Sequence, residues 1–346
     1  MVYILGNVPF LDCKQYANDY EVLKHFSFPI VINPETNSWN KSIANMYRTG
    51  IFVDSLTLAD TNSIIPESIF CLKELKYLII KDMVFTDGVV PGSLANLQLL
   101  RRLEITNTII TNMTNQLTSL TRLYWLILVN CSLSQLPDLS NMSDIGHVQL
   151  EQNRLSKIDG LNANIYSIIP DTLANLQRLY KIDIYNSSIT NLTDQFASLT
   201  RLYSLNLNNC SLSKISSLSN MPDLRHVHLE NNRLSKIDGF RSDVDCLHIS
   251  DNLFTEIPTF TTPTSLAILR INNNPLKDVK TLDSFTNLAV LELRNTTLSF
   301  IPPTIDKLQR LSHVDLSHNK LAYLPRKRVR RTPNGARELG LIGAFP

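Results

Sequence analysis

Apolar positions along this chain recur in one spelling. Leu311, Val314, Leu316, Asn319 and Leu321 read L-x-x-V-x-L-x-x-N-x-L. The same spelling opens at Leu288, Leu266, Val244, Leu224, Leu202, Leu179, Ile145, Leu123, Leu100, Leu75 and, in weaker form, Val53. These twelve starts lie 20 to 25 residues apart, except for one gap of 34 between Ile145 and Leu179. A fixed period in this range is the signature of stacked repeats, each too small to bury its own apolar side and completed by its neighbours. The fourth and sixth positions of a unit are apolar and two residues apart, so they share one face of a short strand. The third, fifth and seventh positions face the other way, onto an open sheet. The ninth position is Asn in five units: Asn153, Asn232, Asn252, Asn274 and Asn319. A buried amide there can serve backbone groups of the neighbouring turn, which irregular chain leaves unpaired. Thr108, Cys131, Ser187, Cys210 and Thr296 fill the slot elsewhere, and Met83 departs from it.

This spelling resembles the leucine-rich repeat family over roughly residues 53–325. The resemblance implies an α/β solenoid, a horseshoe of about 12 repeats with a concave parallel β-sheet and an irregular or short-helical convex side. It also implies a protein-recognition role, and it supplies no ligand. The layout Trp39, Val53-x-x-Leu56-x-Leu58, Ile65-Pro66 loosely resembles the N-terminal cap of plant-type members, without their cysteine pair.

Residues 1–50 lie outside the repeat. Tyr16, Tyr20, Leu23 and Phe26 stand at helical spacing, and Ser27 to Ile32 reads as extended, so this segment is expected to cap the first strand. The solenoid is expected over residues 51–325, with an irregular rung near 161–168, where Asn162 to Ser167 stands in place of a strand and its turn. Either a rung is interrupted there or about ten residues are missing from the array. Residues 326–346 form a basic tail opened by Arg326-Lys-Arg-Val-Arg-Arg331. It reads as a disordered end, or as a patch for nuclear localisation or an anionic surface.

A longer repeat overlies the short one. Residues 89–161 and 168–240 align without gaps, with 44 identities in 73 positions. On open-face positions 2, 3, 5 and 7 only Tyr124/Tyr203, His147/His226 and Glu151/Glu230 match, 3 of 12; elsewhere 41 of 61 match. A copied fold whose exposed outer positions hold while its open face changes points to a diversified binding surface.

Composition narrows the classes. The net charge is +2 over 346 residues, but the tail from Arg326 on carries six basic residues and one acid, leaving the rest near −3. A broad nucleic-acid footprint is therefore not expected. Catalytic grammar is missing: there is no G-x-S-x-G, no H-E-x-x-H and no phosphate-binding glycine loop. No enzyme activity and no cofactor are expected, and the chain is expected to be a monomer. Five cysteines without a C-x-x-C read as five free thiols in a reducing compartment. Met1 to Phe10 lacks a secretory pattern, and no run is long enough to span a membrane, which favours the cytoplasm. Eight N-x-S/T sequons, at Asn40, Asn112, Asn130, Asn141, Asn186, Asn191, Asn209 and Asn295, invite the secreted alternative, a receptor ectodomain.

Two open-face features carry candidate chemistry. The unit from Leu123 places Trp125, Ile127 and Val129 outward with Tyr124 beside them, where the duplicate carries Ser204, Asn206 and Asn208. With Arg102, Tyr180, Tyr185 and Tyr203, these are the aromatic and arginine residues that anchor protein interfaces, so a protein or peptide partner is expected here. The second feature is His226-Val-His228-Leu-Glu230, with Cys246 and His248 in the same columns one strand on. His226, His228 and His248 are candidates for a pH-sensitive contact surface. With Cys246 they are remote candidates for a zinc block and, through it, for metal-assisted hydrolysis.

Overall fold

The structure, a computed structural model, describes residues 11–32, 42–47, 52–113, 116–135, 138–139, 141–155, 176–190, 198–215, 218–240, 243–301, 305 and 307–322. The expected irregular rung near 161–168, the basic tail, Trp39 and the sequons at Asn40 and Asn191 lie outside these residues. The chain divides into two compact units, Met1–Asn153 and Arg154–Pro346.

In the first unit the strands are β1 (Ile30–Ile32), β2 (Ser42–Tyr47), β3 (Phe52–Ala59), β4 (Tyr77–Lys81), β5 (Arg102–Thr106), β6 (Trp125–Val129) and β7 (His147–Gln149). Each rung from β3 onward pairs in parallel with the next, as β3–β4, β4–β5, β5–β6 and β6–β7 do. The second unit repeats this with β8 (Lys181–Asp183), β9 (Ser204–Asn206), β10 (His226–His228), β11 (Cys246–His248), β12 (Ile268–Arg270), β13 (Val290–Glu292) and β14 (His313–Asp315), again all parallel. The strands fall where the spelling puts them. Fourth and sixth positions are buried throughout, from Leu78 and Ile80 to Leu291 and Leu293. The chain returns through short 3₁₀ turns such as Glu67–Cys71, Gly92–Asn96 and Lys280–Ser284, whose Ile69, Leu94 and Leu282 close the core from the outer side.

The ninth position does what a buried amide can. Asn232 accepts from the Cys210 and Leu212 N–H groups of the preceding rung at 3.1 and 2.9 Å. Its amide donates to the carbonyls of Leu207, Leu229 and Glu230 at 2.9, 3.0 and 3.1 Å. Asn153, Asn274 and Asn319 repeat the arrangement. Where cysteine takes the slot, its thiol donates instead: Cys131 to the Ile105 carbonyl at 3.2 Å and Cys210 to that of Ile184 at 2.9 Å. Burial pushes both thiols up to about 12, so they stay protonated.

The eighth position shows a second regularity. Asp82, Asn107, Asn130, Gln152, Asn186, Asn209, Asn231, Asp251, Asn273, Asn295 and His318 all have φ between 51° and 58°. This left-handed region is where Asn and Asp are enriched among residues with a side chain. Their side chains bond from rung to rung: Asn130 to Asn107 at 2.9 Å, Asn107 to Asp82 at 2.9 Å, Asn209 to Asn186 at 2.8 Å, Asn295 to Asn273 at 3.0 Å. Four of the eight sequons, Asn130, Asn186, Asn209 and Asn295, belong to this ladder, so its turn geometry alone accounts for asparagine there.

The N-terminal segment is shorter in helix than its spacing suggests. A 3₁₀ turn at Cys13–Gln15 precedes α1 (Asp19–Lys24), capped by the Asn18 side chain accepting from the Glu21 N–H. Asp19 accepts from the Val53 N–H at 2.8 Å, which ties α1 to β3. β2 runs antiparallel to β3, with Ser42 Oγ accepting from the Ala59 N–H at 3.1 Å. The expectation of five free thiols is corrected here. Cys13 and Cys71 form a disulfide, and only Cys131, Cys210 and Cys246 are free. The pair lies 58 residues apart with no spacing motif, and the fold alone brings the N-terminal turn against the first outer segment.

Asn232→Ala removes an amide that serves five backbone groups in the interior. Urea unfolding should show it destabilised by about 3 kcal/mol, since each buried polar group left unpaired costs ~1–3 kcal/mol. Lys236→Ala, an exposed change on the same rung, should unfold like the wild type. Equal unfolding of the Asn232→Ala and Lys236→Ala variants would remove the amide from its structural role.

Candidate functional site

In the first unit, register brings the open-face residues into columns. Tyr77, Arg102, Trp125 and His147 stand side by side across β4 to β7, and Ile79, Glu104, Ile127 and Gln149 form the next column. Trp125 is half-buried, and the Tyr124 ring meets its edge with centroids 4.6 Å apart. Tyr124 also lies over Gly146, where a Cβ would come within 2.6 Å of its ring, so a larger residue there would displace the ring. Arg102 reaches Glu104 at 2.6 Å, and Lys81 reaches the same carboxylate at 3.2 Å. Ile127 faces the open side yet is only 8% exposed, walled in by Glu104 and Gln149; Val129 is half-buried. The face thus offers a shallow apolar centre at Trp125 beside a charged Arg102–Glu104–Lys81 group.

In the second unit the candidates gather around β10 and β11. Tyr180 and Tyr185 flank β8 and are half-buried; Tyr203 is exposed. His226 and Cys246 share one column, and His228 and His248 the next. The His228 and His248 rings meet edge to face with centroids 4.4 Å apart. Cys246 Sγ is 3.3 Å from His248 Nε2, and Glu230 Oε1 is 3.9 Å from His248 Nδ1. His226 Nε2 is 3.2 Å from the Tyr203 hydroxyl. Cys246 and His248 are buried, at 7% and 8% exposure, although both sit at outward positions. Burial is the leading cause that holds His228 below its ordinary range, with His226 adding repulsion; it pushes His248 down to about 4, with His228 adding repulsion. Burial also pushes the Cys246 thiol up to about 11 and raises Glu230. At neutral pH the two rings are uncharged nitrogen donors beside a protonated thiol. The ligand atoms of His226, His228 and Cys246 lie within 4.8 Å of one another, as do those of His228, Glu230 and His248.

The structure brings together Arg102, Tyr124, Trp125, Ile127 and Val129 in one unit, and Tyr203, His226, His228, Cys246 and His248 in the other. Sequence reasoning missed Asp245, whose Oδ1 is buried without a hydrogen-bond partner 3.7 Å from His226 Nδ1. Its place just before Cys246 was the available signal. Among the described residues no helix is long and apolar enough to cross a membrane.

Comparison places these rungs. Residues 200–242 match the family model described as Leucine Rich repeats (2 copies). No curated protein matches the sequence. Solved structures share the fold. An internalin (inlF) from Listeria monocytogenes is 20% identical, with 78% of this chain and 82% of that one covered and a TM-score of 0.54. The functional domain of InlJ from Listeria monocytogenes is 22% identical over 78% and 62%, with a TM-score of 0.60. The Arabidopsis receptor kinase HAESA, in complex with the peptide hormone IDA and the co-receptor SERK1, is 21% identical over 80% and 50%, with a TM-score of 0.52.

The depressed histidines carry a pH prediction. Unfolded, each ring takes its proton near the ordinary value of about 6.5. Folded, His248 resists until about 4. The unfolded state therefore binds more protons across that window, and stability is full above about 6.5 and lost as pH falls towards 4. Ring-proton NMR titration of chelator-treated protein should give His248 the lowest midpoint. A midpoint near 6.5 would mean the ring is solvated.

Proposed function

We propose that the chain is a non-catalytic recognition module that binds a protein or peptide on the open face of its sheet, with Trp125 as the anchor. One observation carries this reading. β9 forms the corresponding strand, three residues long against five in β6, with Ser204 and Asn206 where β6 has Trp125 and Ile127, so the rung does not need an aromatic and aliphatic outward face in order to fold. Trp125 nevertheless stands half-exposed between Arg102 and His147, and Trp, Tyr and Arg are the residues that dominate interface energetics. The drift of the duplicated rungs, concentrated on open-face positions, supports the same reading. The relative captured with a peptide hormone offers a parallel for how such a face is used. Tyr124 and Val129 extend the patch, and Tyr180, Tyr185, Tyr203, His226, His228 and His248 supply a second, polar surface for contact.

A second reading concerns the compartment. The Cys13–Cys71 disulfide favours an oxidising environment, hence a secreted protein or receptor ectodomain, over the cytoplasm. Protein from its own cells, alkylated without reduction, should leave Cys13 and Cys71 unlabelled in peptide mass spectra. Full labelling of both would return the chain to a reducing compartment.

Trp125→Ser installs the residue that the duplicate rung already carries. With a partner in hand, obtained by affinity capture on the wild-type chain, this substitution should weaken binding by about 2 kcal/mol or more. The melting temperature should stay nearly unchanged, because the side chain lies outside the core. Unchanged affinity, or unfolding of the variant, would make the patch structural.

A further inference from the structure

We propose that the β10–β11 face is a zinc-class metal site, in which His226, His228 and Cys246 bind one divalent ion of borderline softness, with His248 beside them. The block occurs once in the chain. Its β10 half belongs to the duplicated segment, but the rung it was copied with has Gln149 where β10 has His228, and the β11 half lies outside the duplication. Imidazole and thiolate are the ligands zinc takes in tetrahedral geometry. Bond lengths of ~2.0–2.3 Å at tetrahedral angles place a sulfur and a nitrogen ligand about 3.5 Å apart. Cys246 Sγ and His248 Nε2 already stand at 3.3 Å, and the His226, His228 and Cys246 donors lie within 4.8 Å of one another.

Three further observations fit an ion here. The His228 and His248 rings meet edge to face with centroids 4.4 Å apart, so two imidazoles are gathered on this face. Asp245 Oδ1, buried without a hydrogen-bond partner, stands 3.7 Å from His226 Nδ1. A carboxylate behind a histidine is the usual outer partner of a metal-bound imidazole: it takes the Nδ1–H and leaves Nε2 for the ion. The surrounding charge is also suitable. Asp183, Glu230, Asp245 and Glu292 face the block, against Lys181 and Arg270, and each of these cations is already held by a carboxylate, Lys181 by Asp183 at 2.9 Å and Arg270 by Glu292 at 2.9 Å. Binding replaces the Cys246 S–H bond with a sulfur–metal bond and releases that proton to solvent.

The test uses the full chain, stripped with chelator and titrated with zinc chloride in two buffers of different ionisation enthalpy. The expected result is one ion bound per chain with release of about one proton. Cobalt(II) in place of zinc should give thiolate charge-transfer absorption that is lost in Cys246→Ser. His228→Ala, His226→Ala and Cys246→Ser should each weaken zinc by roughly 100-fold or more, above the 10–100-fold that outer partners cost. Circular dichroism of the three variants should match the wild type. Glu230→Gln, which removes a charge beside His228 and His248, should cost no more than the roughly 10–100-fold of an outer partner. Trp125→Ser should also bind zinc normally, since Trp125 is not among the ligand residues. No uptake at micromolar zinc overturns the proposal. So does loss of binding in Glu230→Gln while His226→Ala and Cys246→Ser bind normally.

Discussion

The structure rests on the buried ninth position of its rungs, which is an asparagine amide in five of them. A turn that leaves a strand and runs inward exposes N–H and C=O groups to an apolar core, where each costs free energy if unpaired. The ninth-position asparagine answers groups of its own rung and of the rung before. Asn274 accepts from the Phe254 N–H and donates to the carbonyls of Ile249, Ile271 and Asn272. The cysteines and threonines that replace it keep part of that duty: Thr296 donates to the Leu293 carbonyl at 2.8 Å while its own N–H donates to Asn319 Oδ1. With turns and core held by inward residues, the outward positions are released from structural work. Sequence can vary there at little cost to the fold, which is where the two copies of the duplicated segment part company.

The two open faces put that freedom to different uses. Across β5 and β6 it yields an indole next to a guanidinium–carboxylate cluster. Across β9 to β13 it yields a connected polar sheet surface. Asn208 exchanges hydrogen bonds with Glu230 at 2.9 and 2.7 Å, and Glu292 accepts from both Arg270 and Asn272 at 2.9 and 2.8 Å. The first is suited to apolar contact and the second to donors, acceptors and ions.

Strand positions were legible because the repeat encodes them locally. Val148 and Leu150, or Leu269 and Ile271, announce their rung whatever lies beside it. Depth on the open side was not legible. Ile127 and His248 alternate outward like Trp125 and His226, but their columns are walled by long neighbours, and the height of a wall depends on register between rungs that the spelling does not state. The Cys13–Cys71 bond escaped for a related reason. It joins an irregular segment to an outer turn, and nothing in either stretch points to the other. The left-handed eighth position was legible in principle: eleven rungs place Asp, Asn, Gln or His there, a preference with no hydrophobic explanation.

The antiparallel pairing of β2 with β3 gives the array a direction. Within each unit the described rungs after β3 present the same edge to their successors, so a copied block of rungs can be spliced between two rungs without a mismatch. No copied rung can be added ahead of β3, because its upstream edge is matched to a strand running the other way and its first outer turn is covalently tied to the N-terminal segment. Lengthening by duplication is therefore confined to the interior and the far side of this repeat. The tandem copies at residues 89–161 and 168–240 lie downstream of that barrier.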